Sequence, residues 1–116
     1  MLDSVTLNAM TSALNGFSAT QTAISNNIAN INTPNYTAQE VDFSAALAQS
    51  VAEGNGTLSD AAFTPSASLD PTQLNGNNVS LSEETLKETT NGLKFQLASQ
   101  AASQQFSEVR AAAVVN

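Results

Sequence analysis

The sequence predicts a mostly α protein in which long N- and C-terminal helices pair as an antiparallel, coiled-coil-like hairpin, joined by a flexible middle segment. Three observations carry this reading. Apolar residues near the N-terminus recur at alternating steps of three and four. A second long helical pattern with its own start signal fills the last third. Between them lies a stretch punctuated by Gly, Pro and Asn, with few large apolar side chains. At 116 residues the chain has room for one unit, 1–116, with one small core.

The N-terminal helix is predicted over 2–32. Leu7, Met10, Leu14, Phe17, Ile24, Ile28 and Ile31 form an a/d seam interrupted only by Gln21. Leu2, Ala9 and Ala13 widen its lower part. Gly16 costs up to about 1 kcal/mol inside such a helix and marks a soft spot. The run Asn30, Ile31, Asn32, Thr33, Pro34 is a stop signal, with Asn near the C-cap and Pro where the helix cannot continue.

The middle segment spans 33–78. Pro34-Asn35 reads as a turn in which Asn tolerates positive φ. Val41 and Phe43 alternate with Glu40 and Asp42, enough for a short extended piece. Ser44 to Glu53 can form two or three helical turns. Beyond Val51 the large apolar residues are Leu58, Phe63, Leu69 and Leu74, too few to offset the entropy of ordering the backbone. This segment is therefore expected to be largely disordered in the isolated chain.

The C-terminal unit, 79–114, is predicted as one helix starting within 80–83. Ser82 can cap it, with Leu81 and Leu86 at staple spacing; alternatively Ser80 is the cap and Glu83 its capping-box partner. Its apolar residues fall on two opposed faces. Leu86, Leu93 and Leu97 form one, while Phe95, Ala98, Ala102, Phe106, Val109 and Ala113 form the other. A small monomer needs one apolar stripe per helix, so the second face calls for partner subunits.

Composition excludes several functions. With no His and no Cys, there is no imidazole base, thiol nucleophile, zinc site or disulfide. Net charge is -7, and the three cations, Lys87, Lys94 and Arg110, all lie in the last third. A nucleic-acid groove needs many more, and neither nucleic acid nor a small-molecule substrate is expected as partner. No stretch reads as a cleavable secretory signal or a membrane span. Glu83, Glu84 and Glu88 read as a solvated, dipole-favouring first turn rather than as catalytic groups. No metal or cofactor motif is present, so no enzyme activity and no cofactor are expected.

The amides Asn26, Asn27, Asn30 and Asn32 at the end of the first helix have two readings. One is a weak, fraying terminus; the other is a set of hydrogen bonds that fixes register at an interface.

The run from Ser25 to Tyr36, through Asn27, Ile28, Ala29, Asn30, Thr33, Pro34 and Tyr36, resembles the N-terminal signature of bacterial flagellar axial proteins: the rod, hook and hook-associated proteins. The run from Asn77 to Glu84, through Asn78, Val79, Leu81 and Glu84, resembles the start of that family's C-terminal helix. Asn91 to Leu97 is similar to a stretch of the proximal rod proteins. The resemblance implies a structural rod subunit in the periplasm, exported by the flagellar type III apparatus without a cleaved signal peptide. It implies as partners further copies of the chain, rod proteins of the FlgC and FlgF/FlgG types, the FliE adaptor, and the inner-membrane ring and export gate. The middle segment would then order mainly on assembly. Self-association is expected through the N-terminal seam with Asn27 and Asn30, and through Leu86, Leu93, Leu97, Phe106 and Val109. Within the family the rival reading is another axial protein such as the FlgC-type rod protein; from a different class it is a secreted coiled-coil adaptor or effector, which would share the seam but not need both motifs. A carboxylate-based hydrolase would need a stable monomer with a pocket.

Overall fold

The computed structural model describes residues 4–114, so Leu2 and the first residues of the predicted helix lie outside it. In chain order it contains α1 (Ser4–Ala29), β1 (Gln39–Glu40), α2 (Ser44–Ala52), a 3₁₀ turn (Asp60–Phe63), β2 (Ser66–Ala67) and α3 (Leu81–Val114). The molecule is elongated, with principal extents of 67 × 26 × 15 Å.

The two long helices pack on each other as a hairpin. Asn27 meets Glu84, Gln21 meets Glu88, and the Phe17 carbonyl meets Asn91. As α3 advances, its partners run backwards along α1. On the seam, Ile24 is buried and Leu7, Met10, Leu14, Phe17, Ile28 and Ile31 are half-buried. On α3 the inward line runs through Glu84, Lys87, Asn91, Ala98, Ala102 and Gln105. Leu86, Leu93 and Leu97 stay 58–68% exposed, and Phe95, Phe106 and Val109 of the other face are 42–51% exposed, so the first face is uncovered within the chain and the second only partly covered.

Helix α1 ends at Ala29, three residues before the predicted end. The Asn30 side chain donates to the Asn26 carbonyl at 2.8 Å, and beyond it the backbone tightens into three-residue turns. Such local side-chain bonds compete with continuation of a helix. Asn35 then adopts φ 61°, as the Pro-Asn turn requires. At the start of α3 the cap is Ser80, not Ser82: its Oγ accepts the Glu83 N–H at 3.4 Å and its carbonyl accepts the Glu84 N–H at 2.9 Å. With the cap there, Leu81 and Leu86 are exposed and make no staple.

The middle segment lies back along α1. The extended pairing is Gln39 with Ala67 and Glu40 with Ser66, antiparallel, slightly before the expected Val41–Phe43. Helix α2 forms where its Ala-rich run predicts. The Phe43 ring is buried against Gly16, edge-on to Phe17 at 5.4 Å, with Phe63 beyond it at 6.1 Å. Ser12 Oγ donates to the Gly56 carbonyl at 2.8 Å, and Asn8 Nδ2 to that of Asn55 at 3.2 Å.

Gly16 is thus a seat for Phe43: a Cβ there would overlap the ring. Around Gly92 nothing lies within 4 Å of such a Cβ. Opposite outcomes are expected for the same change. Gly92→Ala should raise stability by about 0.5–1 kcal/mol through helix propensity. Gly16→Ala should lower it by about 1–3 kcal/mol, because overpacking outweighs that gain. Thermal melts of the two variants, followed by circular dichroism, compare them directly.

Candidate functional site

The two sequence motifs meet at one end of the hairpin and bond to each other. At the centre is Asn27, on the inward face of α1 and 1% exposed. Its Nδ2 donates to Glu84 Oε2 at 3.1 Å and to the Gln39 carbonyl at 2.9 Å. Its Oδ1 accepts the Gln39 N–H at 2.8 Å and the Tyr36 hydroxyl at 3.3 Å. All four hydrogen-bonding positions of the amide are filled. One side chain therefore ties α1 to the turn after it, to β1 and to the first turn of α3.

Glu84 is equally buried, which corrects its assignment to a solvated first turn; Glu83 and Glu88 are exposed as expected. Burying a carboxylate is costly unless it is paired and hydrogen-bonded. Asn27 supplies the hydrogen bond and Lys87 the charge, 3.5 Å away. Lys87 also bridges to Glu40 at 3.2 Å, so β1 joins the same network. Burial pulls the Lys87 pKa down, but the hydrogen bond it donates to Glu40 and the charges of Glu84 and Glu40 outweigh it and hold it above the ordinary 10.5. A raised folded-state pKa contributes stability that is complete below the unfolded value and lost as pH rises through the folded one. The stability difference between the natural chain and Lys87→Met should therefore be constant up to about pH 10 and shrink above it, read from urea midpoints across an alkaline series.

The second motif supplies two clamps. Asn77, 1% exposed, donates through Nδ2 to the carbonyls of Asn30 and Thr33 at 2.9 and 2.8 Å. These carbonyls lie where α1 unwinds, and the end of a helix leaves such groups without intrahelical partners. Asn77 Oδ1 accepts the Val79 N–H at 2.7 Å, turning the chain towards Ser80. Asn78 Oδ1 accepts the Ala38 N–H at 2.7 Å, and its Nδ2 donates to the Asp70 carbonyl at 3.1 Å. The Asn35 N–H reaches the Asn75 carbonyl at 2.9 Å, and Gly76, at φ +82°, lies so close to Asn35 that a side chain would not fit.

Of the other motif residues, Val79 is buried, Tyr36 is half-buried, and Ala29, Thr33, Pro34 and Leu81 are exposed. Asn30 is half-buried, while Asn26 and Asn32 are exposed. Further along the seam Gln21 is the polar match of α3. Its Nε2 donates to Glu88 Oε1 at 3.2 Å, and its Oε1 accepts Asn91 Nδ2 at 3.3 Å. Asn91 also donates to the Phe17 carbonyl at 2.9 Å. The sequence reading passed over Gln21, Gln39, Asn77, Lys87 and Asn91 as contact residues. A signal existed: Glu84, Lys87 and Asn91 continue the inward heptad line of α3 towards Ala98 and Ala102, but an apolar-only count skips polar positions.

Among the described residues no group of acidic side chains could hold a metal ion, and no buried side-chain polar atom lacks a partner. The network is a saturated structural joint. Residues 7–37, which run from α1 through the turn that Asn77 clamps, match the family model of the flagella basal body rod protein. Over this segment the chain is similar to the flagellar basal body rod family. That rod family is structural rather than enzymatic, and its members assemble with other basal-body proteins. No curated protein matches the chain. No helix of the described residues is long and apolar enough to cross a membrane.

Proposed function

We propose that the chain is a proximal rod subunit of the FlgB type, one building unit of the hollow shaft. The observation that supports this reading most is the joint itself: the rod-family segment and the Asn77–Glu84 motif hold α1 and α3 as a stiff hairpin. That hairpin carries an uncovered apolar face, Leu86, Leu93 and Leu97. A stiff element with an outward apolar stripe suits repeated packing in a tube, and contacts that do not close on themselves grow a filament. The hairpin winds as a coiled-coil-like pair, and the whole of 1–116 acts as one rod unit. The middle segment, 33–78, tightens its order against neighbouring subunits. The neighbours in this reading are further copies, FlgC-type and FlgF/FlgG-type rod proteins, the FliE adaptor, and the inner-membrane ring with its export gate. Export by the flagellar type III apparatus delivers the chain to the periplasm.

Electron microscopy of basal bodies from a strain lacking the gene tests the proposal, with the complemented strain alongside. Rings without a rod, restored on complementation, are expected. Intact rods and filaments in the deletion strain would sink it and favour a role outside the rod.

A further inference from the structure

The chain contains four Asn-Gly pairs, beginning at Asn15, Asn55, Asn75 and Asn91. A glycine after an asparagine leaves the next backbone nitrogen unshielded and free in φ and ψ, so that nitrogen can attack the asparagine side-chain carbon. The attack needs a side chain free to swing and a following N–H released from its own hydrogen bond. The four sites differ in both. Asn15 and Asn91 lie inside α1 and α3, where the following N–H belongs to the helix ladder. Gly16 is also pinned beneath the Phe43 ring, and Asn91 is buried with its Nδ2 held by the Phe17 carbonyl and Gln21. Asn75 belongs to the joint. Its Oδ1 accepts the Asn77 N–H at 3.1 Å, its carbonyl accepts the Asn35 N–H at 2.9 Å, and Gly76 is wedged against Asn35.

Asn55 is exposed, and its side-chain amide makes no hydrogen bond among the described residues. Gly54 before it, at φ +82°, stands in open space. The Gly56 N–H is held by the Ser50 carbonyl at 3.1 Å, just past the end of α2. Releasing it opens one surface turn, whereas the other three sites require a long helix or the joint to open. We propose that Asn55 is a site of self-modification, converted to aspartate and isoaspartate with water as the only reagent. The Gly56 nitrogen loses its proton and bonds to Asn55 Cγ, the Cγ–Nδ2 bond breaks, and ammonia leaves a five-membered imide. Water then opens the ring. Cleavage at Cγ gives aspartate; cleavage at the main-chain carbonyl gives isoaspartate, with one more carbon in the main chain. That carbon enters where the fit to α1 is closest. The carbonyls of Asn55 and Gly56 accept Asn8 Nδ2 at 3.2 Å and Ser12 Oγ at 2.8 Å, and Gly56 sits against the Val5 carbonyl with no room for a Cβ. The isoaspartyl form therefore loosens the latch between α1 and the end of α2. This chemistry belongs to the free chain and is independent of the rod reading.

The full chain, kept folded at mildly alkaline pH and sampled over days, is digested and mapped by mass spectrometry, with a sample in concentrated urea alongside. In the folded chain Asn55 should convert about tenfold or more faster than Asn15, Asn75 or Asn91, and in urea the four rates should draw together. Ser12→Ala, which removes one bond of the latch, should speed conversion at Asn55 about fivefold and leave the other three sites unchanged. The isoaspartyl form, separated by ion exchange, should exchange the amide hydrogens of α2 faster than Asn55→Asp does. Any of the other three sites reacting as fast as Asn55 in the folded chain would overturn the proposal, as would an Asn55 that converts only in urea. Ser12→Ala without effect on the Asn55 rate, or equal exchange in the isoaspartyl form and Asn55→Asp, would overturn the link to the latch.

Discussion

Asn27→Leu is expected to lower the stability of the chain by about 3–5 kcal/mol, read as a fall in the urea midpoint followed by far-UV circular dichroism. The change keeps the branching and the number of heavy atoms and adds an apolar side chain, so on hydrophobic grounds alone it should be mild. The hydrogen-bond accounting decides otherwise. The substitution strands the Gln39 N–H and carbonyl, the Tyr36 hydroxyl and one oxygen of Glu84. Each buried group left unpaired costs about 1–3 kcal/mol, and the Glu84 carboxylate, 1% exposed, cannot turn to water. A domain of this size has only about 5–15 kcal/mol in total, so the variant should sit near its unfolding threshold at room temperature.

The double variant Asn27→Leu with Glu84→Met gives the sharper result. Removing both partners leaves an apolar pair where the charge was, and such replacements of buried polar pairs are often neutral. The double variant should recover about half or more of what the single one loses, a coupling of about 2 kcal/mol. Equal losses in single and double variants would mean that the Gln39 backbone, not the Asn27–Glu84 bond, holds the joint. The double variant should also show what the polar pair does besides stabilise. An apolar seam tolerates sliding of one helix by a turn, whereas Asn27–Glu84 and Gln21–Asn91 fit in one register only.

How far the sequence alone reaches follows from which physics each element uses. Helix α1 was readable because its apolar residues repeat with the helical period, although Ile24 is the one seam residue fully buried among those described. Helix α2, the Asn35 turn and the Ser80 alternative followed from propensity and capping rules that act within a few residues. The joint was not readable in the same way. The bonds of Asn27 span 9 to 57 positions in the chain, and nothing local says that Glu84 is buried while Glu83 and Glu88 are not. Gly16 shows the same limit. As a helix residue it is a weakness; against Phe43, 27 positions later, it is a requirement. The family resemblance marked Asn27 and Glu84 as positions of interest, but only the fold shows that the two motifs are halves of one hydrogen-bonded unit.

The second large effect is expected where the fold is indifferent. Leu86→Ser, Leu93→Ser and Leu97→Ser together should leave the monomer's melting behaviour nearly unchanged, because these side chains are 58–68% exposed and each surface change is within about 0.5 kcal/mol. Rod assembly should nevertheless be lost. Covering three leucines in an interface contributes about 1.5–3 kcal/mol each at full burial, and the loss recurs at every subunit added. Leu14→Asp and Ile28→Asp differ in kind. Leu14 and Ile28 are half-buried in the seam, so an unpaired carboxylate there weakens the hairpin as well as assembly, and a defect in the rod would not by itself identify an outer contact. Motility and basal-body microscopy, set beside circular dichroism of the purified variants, separate the two classes. Export should persist in both. A motile strain carrying the three serines would mean that the Leu86 face meets solvent in the rod. The packing of neighbours would then fall to other exposed apolar side chains of α3, Phe95, Phe106 and Val109 among them.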